Sequence, residues 1–144
     1  MCIEIGLRWM RASLRGYGGE APSEAAFFDL LAIEPEASSL AKPSVSAWQS
    51  ANIELFAVDM ADIQGHDEPF EEFASRVERG FLRAAEWLDA RPPGAFDQWR
   101  AAGRTADIFI GGWLSNDQFD MLLPASFLAA CGRAGLPVQI CTND

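Results

Sequence analysis

The last forty residues constrain the fold most, because they hold a complete strand–helix–strand order. From Thr105, an apolar run (Ala106, Asp107, Ile108, Phe109, Ile110) ends at Gly111, Gly112 and Trp113. A polar loop follows, Ser115 to Gln118, then a helix-like segment from Pro124 to Gly135. A second apolar run, Val138–Gln139–Ile140–Cys141, comes just before Asp144. This is the order of a βαβ unit, and Gly135–Leu136–Pro137 is a strong stop for its helix. That helix carries Phe127, Leu128, Cys131 and Ala134 as its apolar set.

A looser version of the same order occupies the other end. Ile3, Ile5, Leu7 and Trp9 alternate with Glu4, Gly6, Arg8 and Met10, the period of a strand with one face on a core. The apolar phase then moves to Met10, Ala12 and Leu14, which predicts a bulge or bend near Trp9–Met10. The glycines at 16, 18 and 19 end the strand. A short helix follows Ser23, an N-cap type, with Phe27, Leu30 and Leu31 as its buried face. The segment from Glu34 to Ala47 has no periodicity and is rich in Ser, Ala and Pro, which predicts an exposed loop. Asn52 to Met60 is the second strand. Ile53 and Leu55 lie in one run of alternate positions and Phe56, Val58 and Met60 in the other, which predicts a central strand.

Between these ends lies the strongest helical signal, Pro69 to Ala90. Phe70, Phe73, Val77, Phe81, Ala84 and Leu88 recur at three- and four-residue steps. Pro69 suits the first helical position, and Asp67 and Glu68 sit where the helix dipole favours negative charge. Gly80 lies beside the stripe and leaves room for another element. A further short helix spans Ala95 to Ala102 and stops at Gly103. The expected architecture is a single α+β domain over residues 1–144. Its sheet of about four strands comes from two βαβ-like halves, 1–60 and 105–144, joined by helices within 69–102. The suggested duplication rests on Ile5, Gly6 and Trp9 against Ile110, Gly111, Gly112 and Trp113.

Charge bears on partners. The chain has 11 Lys plus Arg against 21 Asp plus Glu, a net −10, which repels a phosphate backbone and attracts basic proteins and cations. Cys2, Cys131 and Cys141 form no CxxC pair, which favours a reducing compartment. Glu4 and Arg8 interrupt what would be a signal peptide's apolar core, and no run approaches a membrane span of about 20 residues. A cytoplasmic protein with neither nucleic acid nor membrane as partner is the expectation.

The catalytic signals are thin. His66 is the only histidine, no GxSxG motif accompanies it, and one histidine with scattered cysteines lacks the spacing of a zinc site. No catalytic residue, metal or cofactor is therefore assigned. Gly111–Gly112 and the glycines at 16–19 lack any phosphate-loop pattern. Six acids gather instead at Asp59, Asp62, Asp67, Glu68, Glu71 and Glu72, within a region, residues 20–72, that holds twelve acids and only Lys42. With Trp48, leaving the long loop, and Trp113, leaving a strand, they are the candidate partner-binding residues.

An acidic, single-domain α+β chain without catalytic signature resembles the small immunity proteins of bacterial toxin systems. Its layout from Ile3 to Ile33 and again from Ile108 to Cys141 also looks like duplicated βαβ bacterial domains of unassigned function. The resemblance to immunity proteins implies a non-catalytic inhibitor whose acidic face covers a basic toxin. Two other readings stand beside it. One is a small enzyme or metal-binding domain using His66 and nearby carboxylates. The other is a structural or oligomeric module, a homodimer if the last strand lies at a sheet edge.

Overall fold

A computed structural model describes residues 7–18, 23–32, 51–114 and 120–142. The expected strand start at Ile3 and Ile5, the 34–47 loop, Trp48 and the 115–118 loop lie outside these residues. The elements are β1 (Leu7–Tyr17), α1 (Ser23–Leu30), β2 (Ala51–Asp59), α2 (Pro69–Asp89), α3 (Ala95–Ala101), β3 (Thr105–Leu114), α4 (Ala125–Ala134) and β4 (Val138–Thr142). A 3-10 turn, Met60–Ile63, follows β2. This is an α+β fold with a mixed four-stranded sheet in the order β2-β1-β3-β4.

β1 pairs antiparallel with β2 on one side and with β3 on the other, and β4 joins β3 in parallel. The strand–helix–strand order does recur, yet only β3-α4-β4 is a true parallel βαβ unit. Antiparallel neighbours need the chain to return where it left the sheet, while parallel ones need a crossover along its length, which α4 supplies. The duplication is thus of order and not of geometry.

β1 runs through Gly16 to Tyr17, beyond the break expected there. A methyl on Gly16 would stand 3.0 Å from the Phe27 ring, so the glycine seats α1's aromatic on the strand. The bend expected near Trp9–Met10 is a register shift between Leu7 and Trp9 against β3. β2 is not central: it ends the sheet formed by the described residues. Ala12 pairs with Phe56 and Ser13 with Glu54, so Leu55 is an extra residue in a bulge. That bulge brings Ile53, Phe56 and Val58 opposite Leu14, Ala12 and Met10, all on one face. Two alternating phases in the sequence therefore serve one core.

The helices share that face. Phe27 meets Trp99 of α3 at 4.6 Å between ring centroids, and Phe81 of α2 meets Phe56 at 4.9 Å and Phe127 of α4 at 4.7 Å. Trp99 donates from Nε1 to the Thr105 carbonyl at 2.7 Å, so this buried indole is satisfied. α4 closes as its glycine signal requires. Gly135 has φ 68°, Leu136 N–H donates to the Cys131 carbonyl at 2.8 Å, and Gly135 N–H donates to the Gly132 carbonyl at 3.1 Å. The Arg100 guanidinium then donates to the carbonyls of Ala134 and Gly135 at 3.0 and 3.3 Å.

Gly80 is buried where α2 crosses β2, and a methyl there would overlap the Phe56 ring. Gly132 of α4 is exposed, with nothing within 4 Å of such a methyl. Gly80→Ala should therefore lower the unfolding free energy by about 1–3 kcal/mol through overpacking. Gly132→Ala should raise it by up to about 1 kcal/mol through helix propensity alone. Urea denaturation of the two variants reads both, and equal effects would disprove the close crossing.

Candidate functional site

The fold sets the expected acidic residues around two hollows: Asp59, Asp62 and Glu72 share a cleft beside β2, and Glu71 lines a groove beside α2. Asp59 ends β2, and its Oδ1 accepts the Ala61 N–H at 2.9 Å, capping the 3-10 turn. Asp62 lines that cleft together with Asp59 and with Glu72, Arg76, Arg79 and Arg83 of α2. Asp67, Glu68, Glu71 and Glu72 gather at the start of α2. Of these, Glu72 accepts from Arg76 Nε at 2.9 Å and Arg79 Nη2 at 3.3 Å. The Arg76 hydrogen bond holds its carboxyl below the ordinary glutamate range. Glu71 behaves oppositely: a hydrogen bond with Glu68, reinforced by that residue's charge, pushes its pKa up. Asp67, Glu68 and Glu71 are exposed.

Beside Glu71 lies a groove of about 510 Å³ between the first half of α2 and residues 120–122. Phe70, Phe73, Val77, Met121 and Leu122 supply apolar lining, while Glu71, Glu78 and Asp120 supply carboxylates. Phe70 is 49% exposed and Leu122 79% exposed. Phe70 thus departs from the buried stripe assigned to it, because the first turn of α2 projects past the packed core. Leu128, expected with the apolar set of α4, is likewise 45% exposed. The sequence did carry a signal for the groove. Met121–Leu122–Leu123 is an apolar run that neither the strand nor the helix period absorbs.

Trp113 lies elsewhere, on the sheet face opposite the helices. It pairs across β1 with Trp9, and Trp9 pairs with Asp59, so these three form one row. Trp9, absent from the expected site, is what brings Asp59 and Trp113 together. Trp113 is 48% exposed. Further along this face Arg15 donates to both Asp107 oxygens at 2.8 and 2.7 Å and to Gln139 at 3.0 Å, stacked 4.2 Å from the Phe109 ring centroid. Tyr17 Oη donates toward the same carboxylate at 3.3 Å.

His66 is exposed in the turn before α2, its backbone N–H donating to the Ile63 carbonyl at 3.1 Å. Burial pushes the Cys131 thiol up to about 11, so it carries little thiolate near neutrality. Among the described residues no group of three or more His, Cys, Asp and Glu is placed to hold a metal ion. None of their helices is long and apolar enough to cross a membrane.

Burial, then the Asp107 charge, pushes the Tyr17 phenol from 10.0 to about 12. A raised pKa contributes stability that is whole below the ordinary value and lost as pH rises through about 12. As the sole tyrosine, Tyr17 is directly readable by phenolate absorbance. Its midpoint should lie near 12 and fall part of the way back in Asp107→Asn, with circular dichroism reporting the fold. An ordinary midpoint in the folded wild type would disprove the network.

No family model, curated protein or solved structure matches this chain.

Proposed function

We propose that this chain is a non-catalytic binding protein that occludes a basic protein partner, acting as an immunity protein does toward a toxin in the cytoplasm. The observation that supports this reading is the groove beside α2, with its exposed Phe70 and Leu122 and its carboxylates Glu71, Glu78 and Asp120. Apolar anchors in a desolvated groove carry affinity, and a rim of one charge sign selects partners of the other and speeds encounter. The chain's net −10 adds a long-range field of the same sign. Glu71 holds a proton more tightly than an isolated carboxyl would, because Glu68 stands beside it. A cationic side chain placed between the two relieves that repulsion.

Affinity capture from the native lysate, followed by calorimetry with the retained protein, tests the reading. The wild type should hold one basic protein in one-to-one ratio, more weakly as salt rises. Affinity should also fall on acidification through the raised Glu71 pKa, since the protonated group no longer attracts a cation. Phe70→Ala should cost about 2 kcal/mol, the usual size of an anchor residue. Joint reversal of Glu68, Glu71 and Glu78 to lysine should abolish most of the binding. Capture that neither variant weakens would remove the groove from the site. Retention of no basic protein would remove the inhibitor reading.

A further inference from the structure

The two ends of the sheet formed by the described residues are built differently. At the β2 end the strand is bulged at Leu55 and carries Glu54 and Asp59. Arg76, Arg79 and Arg83 stand across a cleft from Phe56–Asp59. A bulge and charged side chains are the devices by which edge strands avoid adding another strand. The β4 end has none of them. β4 pairs with β3 without a register shift, and Val138–Thr142 contains no charge, proline or glycine. Gln139, Ile140 and Thr142 are exposed, Ile140 by 45%. A strand paired on one side leaves alternate backbone groups to find water or another strand.

Charge identifies the occupant. Residues 121–142 contain no acid and only Arg133, in a chain of net −10. At the acidic start of α2 two copies would bring carboxylates together, whereas at β4 they meet without that repulsion. A basic partner, by contrast, gains little from an edge that carries no negative charge. We infer that β4 is a self-association edge, which pairs antiparallel with β4 of a second copy about a two-fold axis and joins the two sheets into one. Such an axis makes the contact self-complementary, and the symmetry mate covers Ile140. This inference does not rest on the α2 groove or on the inhibitor reading.

Light scattering on the full chain over a dilution series, with hydrogen exchange of the Val138–Thr142 amides, tests it. The mass should be twice the 15.7 kDa of one chain at high concentration and return to that value on dilution. Exchange at 138–142 should quicken in step. Added salt should favour the dimer by screening two like-charged copies. Ile140→Lys, at an exposed position, should abolish the dimer and leave the far-ultraviolet dichroism unchanged. A chain that stays monomeric throughout overturns the inference, as does a dimer that survives Ile140→Lys. Should that variant misfold, the wild type decides: exchange at 138–142 that is independent of concentration overturns the inference, and concentration-dependent protection supports it.

Discussion

β1 must satisfy a neighbour on each side and a different environment on each face, and the molecule is arranged around that double demand. Its helix-side residues alternate large and small: Met10, Ala12, Leu14 and Gly16, the first three fully buried. The small positions are where aromatics come down onto the strand. Phe27 of α1 lies on Gly16, and Phe56 stands opposite Ala12, where Phe81 of α2 meets its ring edge-on. Larger side chains at these positions would lift the helices from the sheet and open voids that a close-packed interior does not tolerate. On the opposite face the same strand is tied to β3 by Arg15 and Asp107, a forked pair with side chains 19% and 16% exposed. Two parallel charge-assisted bonds fix geometry as well as attraction, so they reinforce the β1–β3 register that the buried pairs Leu14–Ile108 and Ala12–Ile110 set on the other face.

α2 transmits this arrangement to the surface. The absence of a side chain at Gly80 lets its middle lie against Phe56, while its first turn extends past the core and leaves Phe70 half exposed. The residues before α4 run alongside that projecting turn, and the groove is the space between them. The carboxylates there have two origins. Glu71 belongs to the acidic helix start that the macrodipole favours, whereas Asp120 arrives from a distant part of the sequence. A feature of helix energetics and a feature of tertiary packing thus meet in one surface.

β2 departs from its expected central place for a single reason. Its Ile53, Phe56 and Val58 are all buried, as apolar residues in a strand should be, and their two parities suggest two covered faces. The bulge at Leu55 changes which face each parity addresses, and no local signal marks it, since it is set by pairing with β1. The acidic run was legible as a cluster, but its division between the arginine-lined cleft, which takes Asp59, Asp62 and Glu72, and the groove, which takes Glu71, depends on where β2 ends and how α2 leaves it. Trp9 was legible as a strand residue only. Its place between Asp59 and Trp113 follows from register across three strands.

By itself the sequence determined the elements and their order, because period, proline, glycine and capping residues act through neighbours within a turn or two of the chain. It also determined that Gly80 would admit a close neighbour, and that the fold is α+β with about four strands. Only the tertiary structure decided the direction of β2, the two unlike sheet edges and the assembly of Phe70, Glu71, Asp120 and Leu122 into one groove. These depend on contacts between residues far apart in the chain. Their free energies belong to pairs of elements, so neither partner's sequence carries them alone.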